Sequence, residues 1–375
     1  MGRYRPLRAD IDLDALRHNY RLAQAYAGEG RCLAVVKANA YGHGAAACAH
    51  ALSDLAPAFA VAMIEEAETL RDSGITHPIV LLEGFFCAAE LPLINERGYW
   101  PAVHQEWQVD ALLSARPSRP FNVWLKLDSG MHRLGFSAAD AVTQWKRLAA
   151  CPHVQGLHLV THFATADGAD EQAQRQYEQQ RACVVEVVER LKALGYDVPC
   201  CLANSPATVR GNTRGSWHRP GIILYGASPC DAASQHLSLN NVMTLRSRLI
   251  AIRTLDAGEP LGYGRGFVAP HAMTIGVVAC GYGDGYDRHA KEGTPVLVDG
   301  QRTRLIGRVS MDMLTIDLSG IENPTLDSDV VLWGEAAEGT VLSVDEVAQW
   351  CDTISYTLMT GIAARVPRYY HRNEG

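Results

Sequence analysis

Short apolar or β-branched runs recur near residues 33–37, 59–62, 79–82, 100–103, 122–126, 157–161, 200–203 and 222–225, and helix-patterned segments separate them. Repetition of strand and helix forces parallel pairing, because each helix carries the chain back across the sheet before the next strand begins. Eight such units predict a closed (β/α)8 barrel rather than an open doubly wound sheet. The run from Ile64 to Arg71 is one intervening helix. The segment from Asp170 to Leu194 is the longest, with Val184, Val187, Val188 and Leu191 along one side.

After Ser228 the alternation stops. Segments such as Val242–Leu245, Thr274–Ala279 and Asp329–Trp333 follow one another without long helices, and Val298-Asp-Gly-Gln301 between apolar runs is a hairpin signal. One late amphipathic helix is expected near Val344 to Trp350. The fold class is therefore α/β plus β: an N-terminal (β/α)8 barrel over residues 10–235, then a C-terminal mostly β domain over 236–375, with Asp231 to Asn241 as the crossover.

Bulk properties exclude several roles. A formal charge of -7 with scattered signs offers no basic stripe for a phosphate backbone, so no nucleic acid partner is expected. The 10 cysteines are dispersed and form no C-x-x-C pair, which predicts reduced, mostly buried thiols. Met1 to Pro6 leads into a charged amphipathic segment with no apolar signal region, Pro6 stands where a myristoylation motif wants Ser or Thr, and no apolar run is long enough to span a bilayer. The expectation is a cytoplasmic chain with no membrane contact. His158 and His162 share one face of a strand but have no third partner for a metal, and the Gly262 and Gly281 glycine clusters lack the βαβ setting of a dinucleotide loop. No metal is expected.

Polar residues stand at the carboxyl ends of the predicted strands: Lys37, Lys126 with Asp128, His162, and Asn204 with Ser205. Barrel enzymes build their sites at that end. A strand-end lysine ordinarily caps a strand in water, but Ala38, Ala40, Gly42 and Gly44 leave the backbone here open to close approach, and partial burial would favour the neutral, nucleophilic amine.

The ten residues from Val35 to Gly44, VVKANAYGHG, resemble the pyridoxal-phosphate lysine motif of the alanine racemase family almost letter for letter. The resemblance runs from Asp10 to Tyr356 in at least five motifs. It implies pyridoxal 5'-phosphate as cofactor, held by Lys37 as a Schiff base. Its phosphate would be bound by Tyr41, Ser205 beside Asn204, Gly221, Ile222 and Tyr356. Pro206 replaces the family's usual alanine and removes one backbone donor.

Arg219, within HRPGIILYG, matches the arginine facing the pyridine nitrogen. Guanidinium only donates, so it leaves that nitrogen unprotonated and the ring a weaker electron sink, which suits reversible proton removal. Inverting a stereocentre needs a base on each face: Lys37 serves one, and Tyr263 matches the family's catalytic tyrosine on the other. His162 matches the histidine touching both that tyrosine and the arginine. Arg133 would contact the ring oxygen and the substrate carboxylate. In many relatives the lysine at the position of Lys126 is carbamylated and orients that arginine. Met311 and Asp312 match residues that reach the substrate. In the family they and the tyrosine come from the partner chain, which implies a head-to-tail homodimer with composite sites.

The expected activity is interconversion of L-alanine and D-alanine by two bases, supplying D-alanine for peptidoglycan or degrading it. A racemase of broader specificity, for serine or other amino acids, is the nearest alternative. A same-fold decarboxylase would pair the ring nitrogen with a glutamate where Arg219 stands, and a non-catalytic pyridoxal-phosphate-binding protein would lack the second domain.

Overall fold

In the computed structural model, which describes residues 4–213, 215–230 and 237–372, the barrel closes through its first strand. That strand is interrupted at Leu33. Arg31–Cys32 pairs in parallel with Trp217–His218, and Ala34–Val35 pairs in parallel with Phe59–Val61. Ile79–Leu81, Trp100–Val103, Phe121–Lys126, Val154–Val160 and Cys200–Ala203 complete the ring. The nine segments of this sheet are thus eight strands, two being halves of the first. Phe59, Ala60, Val61, Ile79, Val80 and Leu81 are all fully buried, as expected where helices cover one face and the barrel interior the other.

One expected strand is corrected. Ile222–Tyr225 is a single 3-10 turn: Leu224 N donates to Gly221 O at 2.9 Å, and all four residues are buried. The eighth strand lies earlier, at Trp217–His218. Apolar composition does not distinguish a buried turn from a buried strand, and Pro220-Gly221 breaks the run before it can pair. The long helix runs Glu171–Ala193, capped by Asp170, whose side chain accepts from Gln172 N and Ala173 N. Inside the barrel, Trp100, Trp124 and Trp217 gather round His158, with the Trp124 and His158 rings 5.0 Å apart. Trp100 and Trp217 begin their strands, so these rings fill the lower interior and leave the carboxyl ends of the strands for a site.

The second domain is built on the antiparallel strand Met243–Leu255, which pairs with both Met273–Val278 and Asp329–Glu335. Leu314–Asp317, Gln301–Ile306 and Pro295–Val298 close that circuit. The hairpin stands where expected: Asp299 and Gly300 have φ of 45 and 75, the two positive values a tight two-residue turn needs. The late helix is Val344–Trp350, and a further one, Ser355–Gly361, follows. Arg8–Asp12 belongs to this second sheet, antiparallel to Met243–Leu255 and parallel to Arg368–His371, although residues 10–12 were expected with the barrel. The expected boundary at 235 and 236, and most of the Asp231–Asn241 crossover, lie outside the described residues. No helix among the described residues is long and apolar enough to cross a membrane.

The two domains meet at the segment after Lys37. A Cβ on Gly42 would lie 2.0 Å from Met359 O, and Arg368 Nε donates to Gly42 O at 3.1 Å. Gly42 also has φ of 85, a conformation that disfavours any side chain. Gly211, which ends the Ser205–Arg210 helix, shares that left-handed conformation with φ of 65 but has open space around its Cβ position. In chemical unfolding, Gly211→Ala should therefore cost about 1 kcal/mol, and Gly42→Ala clearly more, about 2 kcal/mol or above. Equal losses would show that Met359 yields freely.

Candidate active site

A cavity of about 580 Å³ opens at the carboxyl ends of the barrel strands. Eleven of the residues singled out in the sequence line it: Lys37, Tyr41, Lys126, Arg133, His162, Asn204, Ser205, Arg219, Gly221, Ile222 and Tyr356. A surface hollow of similar size beside the Glu171–Ala193 helix is lined by none of them.

Lys37 does not sit on the strand. It opens a turn in which Ala38, Asn39, Ala40 and Tyr41 have φ of 51, 55, 53 and 52. Left-handed backbone costs an L-residue roughly 1–2 kcal/mol, so four in succession need support. Ala40 N donates to Val36 O at 2.9 Å, Gly42 N to Ala38 O at 3.0 Å, and Ala45 N to Asn39 Oδ1 at 2.9 Å. The turn brings Lys37 and Tyr41 to the same cavity. The Tyr41 ring stacks on Tyr225 at 4.7 Å, and the Tyr225 hydroxyl donates to Val35 O at 2.8 Å, so one buried ring braces both ends of the segment.

Opposite Tyr41, Gly221 N donates to Ser205 Oγ at 2.8 Å, and a Cβ on Gly221 would lie 2.5 Å from Tyr41 Oη. Only glycine keeps this corner open. Asn204 caps the helix Ser205–Arg210, accepting from Ala207 N at 3.2 Å. Pro206 falls in the helix's first turn, where a missing N–H breaks no bond within the helix. Tyr356, from the second domain, closes this side with its ring 5.8 Å from that of Tyr41.

Arg219 is 6% exposed, and its guanidinium is paired with the barrel wall. It donates to Cys201 O and Thr161 O, each at 2.6 Å, and lies 3.1 Å from Cys201 Sγ. These partners are carbonyls and a thiol, so its positive charge is not neutralised by a carboxylate. Burial, followed by Arg219 and Lys126, holds the His162 imidazole well below its ordinary range and therefore neutral. Burial, with Arg219 and Arg133, brings the Lys126 amine down to about 7. Burial also lowers the Lys37 ammonium, an effect that Glu83 opposes and Arg133 reinforces. Asp128 accepts from Gly130, Met131 and His132 N, each at 3.0 Å, which shapes the loop presenting Arg133. Two guanidiniums, Arg133 and Arg219, and two amines, Lys37 and Lys126, thus face one cavity whose acidic lining residues, among those described, are Glu83 and Asp167. Such a field selects an anionic ligand.

Three expected site residues are not brought in. Tyr263 is 74% exposed and Met311 55% exposed, while Asp312 pairs with Arg365 at 2.6 Å and its carbonyl accepts from Arg5 at 2.8 Å. None of them lines the cavity of its own chain. Two supporting residues went unread in the sequence. Glu66 accepts from Ala38 N and Ala62 N. Gln180 is buried on the long helix, donates to His162 O at 3.1 Å and accepts from Ala164 N at 2.8 Å. Its signal was legible: a glutamine four residues before Val184 interrupts the apolar stripe, and a polar group buried there needs partners.

The alanine racemase N-terminal domain model matches residues 11–229, and the C-terminal domain model residues 242–370. An alanine racemase of Chromohalobacter salexigens is 58% identical over 373 residues, covering 99% of each chain. The catabolic alanine racemase of Pseudomonas putida is 49% identical over 368 residues, covering 98% of this chain and 99% of that one. Among solved structures, the biosynthetic alanine racemase of Pseudomonas aeruginosa is similar with a TM-score of 0.90 at 45% identity, covering 98% of this chain and 100% of the other. With both domains matched and the likeness running almost end to end, the chain belongs to the alanine racemase family and is an isomerase of the racemase type.

Proposed function

We propose that this chain interconverts L-alanine and D-alanine, with pyridoxal 5'-phosphate as its resident cofactor in the barrel-mouth cavity. The observation that carries the reading is Lys37. A half-buried amine with its ammonium form disfavoured stands in a cavity lined by Arg133 and Arg219, where an aldehyde attached to a phosphate dianion would satisfy both features.

The residues present fit that group. The corner between Tyr41, Ser205 and Gly221 is kept open by the absence of a Cβ and offers hydroxyls, and the start of the Ile222–Tyr225 turn, which lines the cavity, adds backbone amide character for a phosphate. Asn204 orders the helix that carries Ser205, and Tyr356 covers the same corner. Arg219, a pure donor, suits an unprotonated ring nitrogen. When bound, the cofactor supplies an electron sink for the pair left on the substrate's Cα.

The chain's own groups move the proton. Lys37 Nζ holds it on one face. Tyr263 of the partner subunit holds it on the other, with the neutral His162 imidazole placed to accept a hydrogen bond from the phenol. Arg133 fixes the substrate carboxylate, with Met311 and Asp312 of the partner subunit alongside. This assigns the exposed Tyr263, Tyr282, Met311 and Met313 to a homodimer contact, which accounts for large apolar side chains left on the surface of one chain. Lys126, brought down to about 7 and so partly deprotonated near neutral pH, is the amine suited to carbamylation.

Incubating the cofactor-loaded protein with L-alanine in heavy water should give racemic alanine with deuterium at Cα; carbon dioxide release with retained chirality would refute the reading. Mixing Lys37→Ala protein with Tyr263→Phe protein should restore activity that neither variant has alone, because one of the two sites in the mixed dimer is intact. No recovery, with subunit exchange shown, would place both bases on one chain. Labelled bicarbonate should give a carbamate carbonyl signal that Lys126→Ala abolishes. That signal should fade as the pH falls below about 7, where the amine of Lys126 protonates.

A further inference from the structure

We propose that Glu66 is a positioning residue for Lys37: its carboxylate holds the amide of Ala38, and with it the left-handed turn that directs the lysine into the cavity. The inference rests on Lys37 being the cofactor-bearing lysine. It concerns a residue on a barrel helix that none of the site motifs contains.

The geometry follows the ladder between the first two barrel strands. Ala34 N donates to Ala58 O at 3.0 Å and Val36 N to Ala60 O at 2.9 Å. The next rung would join Ala38 N to Ala62 O. The left-handed turn lifts Ala38 away, and Ala62 O accepts from Glu83 N at 3.1 Å instead. Glu66 fills the broken rung. Its Oε1 accepts from Ala38 N at 2.6 Å and its Oε2 from Ala62 N at 2.8 Å, so one carboxylate closes the exits of two adjacent strands. Both bonds are charge-assisted, and Glu66 lies in the first turn of the Ile64–Asp72 helix, where the helix end favours a negative charge. Among the described residues Glu66 forms no ion pair, so its charge is spent on these two amides and on the field at Lys37. The charged groups facing Lys37 are Glu83 and Glu66, which favour the ammonium form, and Arg133, Arg219 and Lys126, which oppose it, with the neutral His162 beside them.

Backbone and charge separate experimentally. Glu66→Gln keeps the shape but has one acceptor oxygen and a donor facing an N–H, so the turn loses a bond and the lysine loses a negative neighbour. The holoenzyme of this variant should release pyridoxal phosphate with an affinity lowered about tenfold. The pH midpoint for amine-reagent labelling of Lys37 in the cofactor-stripped protein should move to lower pH. Glu66→Asp keeps the charge but is one methylene short, and it should weaken the cofactor while leaving the midpoint near that of the wild type. In the unmodified protein, the Ala38 and Ala62 amides should resist hydrogen exchange, a measurement that holds even if a variant does not fold. Wild-type affinity and midpoint in Glu66→Gln, or an Ala38 amide that exchanges like an open loop, would overturn the proposal. Borohydride trapping keeps the two ideas apart. Label on another lysine removes the reading of Lys37, whereas label on Lys37 with an unchanged Glu66→Gln variant removes only the role of Glu66.

Discussion

The first barrel strand has two neighbours to satisfy, and the rest of the molecule depends on how it does so. Arg31, Leu33 and Val35 give their amides to Ser216, His218 and Pro220, while Ala34 and Val36 give theirs to Ala58 and Ala60. Alternate amides on one strand therefore close the cylinder from both sides. The strand cannot continue without entering the space above the barrel, and Lys37 is the residue at which it turns. Closure and chemistry are consecutive events on one stretch of backbone.

Two kinds of cost accumulate there. The turn holds four L-residues in left-handed backbone, and the cavity gathers Lys37, Lys126, Arg133 and Arg219 against two carboxylates. Neither would persist unless the surroundings over-determined it. The Tyr225 ring, the Asn39 side chain and the second domain's contact at Gly42 restrain the backbone. An anionic ligand would relieve the positive field there, so affinity and local stability would draw on the same groups.

Much of this was legible in the sequence because the relevant signals are local. Strand spacing revealed an eight-fold barrel, Asp299-Gly300 fixed a hairpin, and eleven residues expected from motifs converge on one cavity. The eighth strand was misplaced because burial alone makes Ile222–Tyr225 apolar, whether it pairs or coils. Arg8–Asp12 could not be assigned to the second sheet from its own residues, since its partners lie more than 200 positions away in the chain. Glu66 stayed hidden for a related reason: it acts by receiving backbone amides at the ends of two strands, and a backbone amide carries no sequence signature.

Arg368 gives the last word on assembly. It donates to the carbonyls of Gly42, Ile362, Ala363 and Val366, and its strand lies beside Arg8–Asp12. Gly42 stands 326 positions before the arginine that pins its turn, and Tyr356 is likewise a residue of the second domain. The wall behind the lysine and the cover over Tyr41 are therefore supplied by the domain that lacks the lysine. The cavity is a joint product of both, and its shape reports how the domains dock as well as how the barrel closes.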